Sequence, residues 1–101
     1  MIKHIVLFSL AETAEGKTKN ENALIIKQKL EALKLSIPQI RKMEVFVNAD
    51  DAPAGNYDIV LDSEFNTMDE MKTYLTHPEH VKVAEFIGKV RTSRAAIDYT
   101  I

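Results

Sequence analysis

The chain has 101 residues, of which 46% are hydrophobic and 28% charged, and this globular composition excludes a disordered or collagen-like chain. Its 13 basic and 15 acidic side chains nearly cancel, so we expect neither a nucleic acid nor an anionic membrane as a partner. Cysteine is absent, which excludes disulfides, thiolate metal sites and cysteine nucleophiles. The early apolar run from Ile5 to Phe8 is too short for a membrane span or a signal-peptide core. We therefore expect one cytoplasmic domain over residues 1–101.

The first half of the chain predicts a strand, a helix and a second strand. Residues 2–10 are rich in β-branched and aromatic side chains, which is typical of a strand. Thr18 and Glu21 form a capping-box pattern that predicts the start of a helix after a polar connection. An apolar stripe with helical spacing follows, made of Ala23, Ile26, Leu30, Leu33 and Ile37. Pro38 should end this helix because the residue before a proline disfavours helical geometry, and residues 43–48 predict the next strand.

The second half of the chain predicts a loop, a strand, two short helices and a last strand. Residues 48–56 are dense in turn-forming side chains and are expected to form a loop before a strand over residues 57–65. Thr67 opens a second capping-box pattern, and Pro78 is typical of the first turn of a further helix. Residues 94–101 alternate weakly and should form the closing strand.

The order strand, helix, strand, strand, helix, strand predicts an α+β, ferredoxin-like (βαββαβ) fold. Such a fold has a four-stranded antiparallel sheet with its helices on one face. Yet the first strand presents Val6 and Phe8 on one face and Ile5 and Leu7 on the other. A sheet with two apolar faces needs two covers, and helices supply only one of them. The simplest second cover is another copy of the chain, so we expect a homodimer.

Several familiar ligand patterns are incomplete in this sequence. Residues 16–18 read Gly-Lys-Thr, but Ala11 stands where a phosphate-binding loop would have its first glycine. The acidic loop has Pro53 at the place where a calcium loop requires a glycine. The histidines at 4, 77 and 80 have no carboxylate at a familiar metal-ligand spacing. We therefore expect neither a metal nor another cofactor.

Three side chains could carry acid–base chemistry. His4 lies in an apolar strand, His80 lies in the first turn of a helix, and Tyr74 precedes it in the neighbouring helix. A histidine near neutrality can accept a proton, and a tyrosine hydroxyl can donate a hydrogen bond to a developing oxyanion. The alternative is structural, with His4 and His80 serving only as hydrogen-bonding groups that hold backbone segments together.

Three segments resemble the stress-responsive A/B barrel domain family. They are Ile2-Lys3-His4-Ile5-Val6-Leu7-Phe8, Tyr74-Leu75-Thr76-His77-Pro78-Glu79-His80-Val81 and Ile97-Asp98-Tyr99. The resemblance runs nearly end to end. It implies a dimeric α/β barrel in which two ferredoxin-like sheets pack together, in agreement with the two-faced strands.

The resemblance implies two kinds of function. Most members of the family have no established activity, but a plant branch includes a polyketide cyclase that works without a cofactor. Its catalytic base is matched here by His80, its tyrosine partner by Tyr74 and a further pocket histidine by His4, whereas another pocket histidine falls on Ile59. The first expectation is a small-molecule-binding protein with an apolar cleft lined by Val6, Phe8, Ile59, Leu61 and Phe86. The second is a cofactor-independent enzyme that removes a proton next to a carbonyl group.

Overall fold

The computed structural model describes residues 1–101 as six strands and three α-helices. In chain order these are β1 (Ile2–Leu10), β2 (Thr13–Ala14), β3 (Lys17–Thr18), α1 (Lys19–Ala32), β4 (Lys42–Val47), β5 (Ile59–Phe65), α2 (Met68–Thr76), α3 (Pro78–Val90) and β6 (Arg91–Thr100). A 3₁₀ turn, Leu33–Leu35, extends α1. No helix is both long enough and apolar enough to cross a membrane.

The main sheet has the strand order β4-β5-β1-β6, and every neighbouring pair is antiparallel. This arrangement confirms the predicted ferredoxin-like fold. One difference lies in the connection before α1, where β2 and β3 form a small hairpin. Glu15 and Gly16 turn this hairpin with φ values of 51° and 74°, as a tight two-residue turn requires. The last strand also begins three residues earlier than predicted, at Arg91, because α3 ends at Val90 and the chain enters the sheet directly.

The helix starts follow the capping patterns of the sequence. The Thr18 hydroxyl accepts from the Glu21 amide at 3.2 Å, and the Glu21 carboxylate accepts from the Thr18 amide at 3.0 Å. At α3, Pro78 occupies the first turn and the His77 ring caps the helix, since its Nδ1 accepts from the Glu79 amide at 3.1 Å. His77 therefore serves the helix start.

The helices cover one face of the sheet, called here the inner face. The apolar stripe predicted for α1 is buried there, as are the alternate residues Val6 and Phe8 of β1. The opposite, outer face is uncovered. On it Phe46, Ile97 and Tyr99 keep 50%, 59% and 43% of their surface exposed, values that mark an uncovered apolar patch. The same face also carries the ion pairs of Lys3 with Asp62 and Glu64.

The edge strand β4 is tied to α1 by two charged side chains. The Lys27 ammonium donates to the Val45 carbonyl at 2.6 Å, and the Glu31 carboxylate accepts from the Val45 amide at 3.0 Å. Partial burial alone would raise the pKa of Glu31, but the hydrogen bonds from Lys27 and from the Val45 amide outweigh it and lower that pKa. The edge of the sheet is thus partly closed to further strand pairing.

Candidate functional site

A cavity of about 110 Å³ lies between the inner face of the sheet and the helices, on the side of α2 and α3. Most of its wall is apolar and comes from β1, β5, α1 and α3, with Val6, Phe8, Leu30, Leu61 and Ile87 among its residues. Its polar side chains are few, and they are His4, Tyr74, His80, Arg91 and Arg94. An apolar cleft with a few convergent polar groups is the usual form of a small-molecule site.

His80 is held in one orientation by the end of the preceding helix. Its Nδ1 lies 2.9 Å from the Leu75 carbonyl oxygen. Because a carbonyl oxygen can only accept, Nδ1 carries the ring proton and donates a hydrogen bond to that oxygen. The other ring nitrogen, Nε2, therefore keeps its lone pair. Burial lowers the pKa of His80 below its ordinary value of 6.5. The hydrogen bond to Leu75 opposes this shift, whereas the neighbouring His4 and Arg94 add to it. At neutral pH the ring is an uncharged base.

Tyr74 lies at the centre of an aromatic cluster. Its ring centroid is 4.4 Å from that of His80, 5.0 Å from that of Phe65 and 6.2 Å from that of His4. The side chain is fully buried, and no protein group forms a hydrogen bond with its hydroxyl. Burial raises the pKa of Tyr74, so the hydroxyl remains a protonated donor throughout the neutral range.

His4 completes the polar part of the cavity. It lies on β1 directly opposite Asp98 of β6, and its Nδ1 donates to the Asp98 carboxylate. This contact fixes the orientation of the ring. The other ring nitrogen, Nε2, forms no hydrogen bond with the protein. The backbone carbonyl of His4 accepts from the buried Ser63 hydroxyl at 2.8 Å, which anchors the same residue to β5. No three histidine, aspartate or glutamate side chains converge in the manner of a metal site.

The structure brings together six of the eight residues that the sequence predicted for the site. His4, Tyr74 and His80 share the cavity with the wall residues Val6, Phe8 and Leu61. Ile59 and Phe86 lie outside its lining. Ile59 is 1% exposed within the core, and Phe86 is half-buried with the Lys29 ammonium 5.5 Å from its ring centroid.

Sequence reasoning missed three charged residues of this region. Asp98 could have been found from the predicted topology, because the start of β1 and the end of β6 pair as antiparallel neighbours. Arg91 and Arg94 line the cavity from β6. Arg91 lies before the predicted strand, and the weak alternation of that strand did not distinguish Arg94.

Residues 2–101 match the family model described as Stress responsive A/B Barrel Domain. No functionally curated protein has a matching sequence. A solved dimeric protein of unknown function with a ferredoxin-like fold, from Bacteroides fragilis, is 38% identical with a TM-score of 0.82. That alignment covers 99% of this chain and 95% of the other.

Two further solved structures illustrate the range of relatives. A dimeric ferredoxin-like protein of unknown function from Thermobifida fusca is 24% identical, with a TM-score of 0.83 over 99% of this chain and 90% of that one. A hydroxynitrile lyase from Passiflora edulis is 14% identical, with a TM-score of 0.78 over 99% of this chain and 92% of that one. At these identities the likeness shows the fold alone.

Proposed function

Because this chain belongs to the stress-responsive A/B barrel domain family, we propose that its sheet–helix cavity binds a small, largely apolar molecule carrying a carbonyl group. The observation that carries this proposal is the Tyr74 hydroxyl, which is buried without a protein partner beside the cavity. Leaving such a donor unpaired costs about 1–3 kcal/mol. A carbonyl oxygen of a bound molecule would accept its hydrogen bond and offset that cost.

The dimensions of the cavity support a small ligand. An engineered apolar cavity of about 150 Å³ holds benzene, so a volume of about 110 Å³ suits a ligand body of a few carbon atoms. A larger ligand would extend through the opening. The apolar wall would receive the hydrocarbon part, while Tyr74 and His80 would select the polar group.

Two nearly isosteric probes test this proposal. Butyrophenone carries a carbonyl, and 2-phenyl-1-pentene replaces that oxygen with a methylene group. The ketone should bind up to about tenfold more tightly, because one hydrogen bond contributes about 0.5–1.5 kcal/mol. The difference should disappear in Tyr74→Phe, as measured by ligand-observed NMR titration. Equal binding of both probes to the unaltered protein would contradict the proposal.

A second candidate function is removal of a proton from the carbon next to that carbonyl. The observation in its favour is His80, whose ring is fixed as an uncharged base with Nε2 unprotonated. The C–H bond would break as Nε2 takes the proton, and its electron pair would move to the carbonyl oxygen as an enolate. The Tyr74 hydroxyl would donate to this oxygen. Return of a proton from Nε2 to the carbon completes the cycle without a cofactor.

Proton exchange tests the second candidate separately from binding. Butyrophenone in heavy water should gain deuterium at the carbon beside its carbonyl faster with the protein than in buffer, as read by proton NMR. His80→Gln should reduce this rate by about 10²-fold or more, the usual contribution of a general base. His77→Asn is the matched control, because asparagine also caps helices and residue 77 lies outside the cavity. Exchange that persists in His80→Gln would remove this candidate.

The proposed assembly is a homodimer in which a second copy covers the outer face. Three exposed apolar residues, Phe46, Ile97 and Tyr99, support this assembly. A shallow depression of about 380 Å³ on the same side, lined partly by Leu7 and Val60, also supports it. The solved relatives from Bacteroides fragilis and Thermobifida fusca are dimeric.

Sedimentation equilibrium tests the assembly. The unaltered chain should have twice the monomer mass, and Ile97→Glu should dissociate it because a charge would be buried in the apolar contact. Leu35→Glu is the control, since Leu35 is 91% exposed on the 3₁₀ turn and lies away from the sheet. A monomer mass at every concentration would contradict the assembly.

A further inference from the structure

We propose that the ligand of this cavity is an organic acid, an oxo acid whose carboxylate is bound by Arg91 and Arg94. The inference rests on the proposed binding of a carbonyl compound and specifies its chemical class. It follows from the charges around the cavity and from the position of the two arginines on β6.

Both arginines lie on the cavity side of the last strand. Arg94 is paired with Phe8 and Arg91 with Leu10, and these two partners are buried on the inner face. Both arginines line the cavity, and both keep much of their surface exposed. They therefore stand where the cavity opens to solvent, within reach of a ligand that enters.

Neither guanidinium has an acidic partner within the protein. Every ion pair of the chain involves other residues, and the lining of the cavity contains no aspartate or glutamate. The nearest carboxylate along the same strand, Asp98, already accepts from His4. Two unpaired cations beside an apolar cavity, in a chain whose net charge is −2, form a local site for an anion.

The guanidinium group favours one kind of anion. Its planar fork of donors matches a carboxylate or a phosphate in a two-pronged contact. The cavity is small and mostly apolar, which favours a carboxylate attached to a hydrocarbon body over a phosphate ester. The expected ligand therefore places its carboxylate at the opening and its hydrocarbon body inside the cavity.

The spacing of the polar groups places the carbonyl several bonds from the carboxylate. The His4 and Phe8 positions of β1 are four residues apart, which is about 13 Å along an extended strand. Tyr74 packs beside His4, whereas Arg94 lies opposite Phe8. An arginine side chain bridges part of this distance. An oxo acid with a few carbon atoms between its two polar groups therefore fits both ends.

A pair of probes tests the inference. The acid is 4-oxopentanoate, and the neutral comparison is 4-oxopentanamide, which keeps the ketone, the methyl group and the chain length. The unaltered dimer should bind the acid about tenfold more tightly than the amide. This preference should weaken at high salt, because the arginines are exposed. Dissociation constants from isothermal titration calorimetry and NMR titration supply the readout.

Two double variants test which side chains cause the preference for the acid over the amide. Arg91→Gln with Arg94→Gln should abolish this preference, because the affinity for the acid falls by about tenfold more than the affinity for the amide. Lys17→Gln with Lys34→Gln removes two exposed charges outside the cavity and should leave the preference intact. A thermal melt of each variant checks that the fold is retained.

The negative results of these binding experiments can be told apart. Equal binding of acid and amide, alongside a persistent preference of butyrophenone over 2-phenyl-1-pentene, would overturn the carboxylate site and leave the carbonyl site standing. Loss of the acid preference in the lysine control as well would also overturn it, because the effect would then come from overall charge. If none of the four compounds bound, the inference would fall together with the proposed function.

Discussion

The two ends of the space between sheet and helices are built differently. On the α1 side, Ile26, Ile37 and Val45 have no exposed surface, and apolar side chains fill the layer. On the α2–α3 side, a cavity of about 110 Å³ remains, and the Tyr74 hydroxyl lies buried without a protein partner. The layer is thus closely packed around Ile26 and Ile37, whereas it leaves a cavity beside Tyr74. The incompletely filled end is where a ligand can add contacts.

The helices that cover the two ends also differ. The helix α1 runs for 14 residues, has a complete capping box and holds the edge of β4 through Lys27 and Glu31. The opposite end is covered by two shorter helices separated at Pro78, and this break turns His80 towards the cavity. The break thus places a titratable ring beside an otherwise apolar layer.

The largest predicted effect comes from truncating matched isoleucines at the two ends. Ile26→Ala should lower the free energy of unfolding towards the upper part of the range of about 2–5 kcal/mol, because the packed surroundings cannot collapse into the new void. Ile87→Ala should fall near the lower limit, since its removed atoms only enlarge a cavity that already opens to solvent. Urea denaturation measures both. Equal losses would contradict the difference in packing between the two ends.

A smaller effect is expected from pH just below 6.5, and it comes from His80 at the cavity end. Folded His80 binds a proton less readily than unfolded His80, because burial lowers its pKa below 6.5. The unfolded chain therefore binds more protons between the two pKa values. The free energy of unfolding should fall as the pH decreases from 6.5 through the folded pKa.

Two variants isolate this contribution. His80→Gln should flatten that part of the stability profile measured by urea denaturation across pH. His77→Asn should leave it in place, because residue 77 caps α3 outside the cavity. A slope that is unchanged in His80→Gln would assign the acid sensitivity to another group.

The smallest loss of stability is expected for Tyr74→Phe. Removing a buried hydroxyl that has no protein partner should leave the free energy of unfolding unchanged or raise it, by up to the about 1–3 kcal/mol that an unpaired buried donor costs. At the same position, a loss above about 2 kcal/mol would show that the hydroxyl is paired in the folded protein. Thermal and urea unfolding of the ligand-free protein measure the change.

Much of the fold follows from local patterns in the sequence. The capping box at Thr18, the apolar stripe of α1 and the first-turn Pro78 each predicted an element that the structure contains. These signals are readable because they depend on residues close together in the chain. His80 and Tyr74 were named as candidate base and hydroxyl donor from their residue types and from the family resemblance, and their rings lie 4.4 Å apart. Their chemical roles stay a prediction.

The rest of the site depends on contacts between distant residues. Antiparallel pairing of β1 with β6 brings Asp98 near His4, but their direct contact requires one register, which the weak alternation of the last strand did not specify. Ile59 points to the same inner face as Leu61, but two residues along a strand suffice to move it from the cavity into the packed core. Which wall residue is open to a ligand is thus decided by packing across the layer.

The most direct test is a ¹⁵N NMR titration of the histidine rings in the folded protein. We expect His80 to be the Nδ1-protonated tautomer, to titrate below 6.5, and to shift its Nε2 signal when butyrophenone is added. A His80 ring that carries its proton on Nε2, titrates at or above 6.5 and does not respond to the ketone would contradict the proposed role of His80. In that case the ring would be a structural group and the cavity would have no poised base.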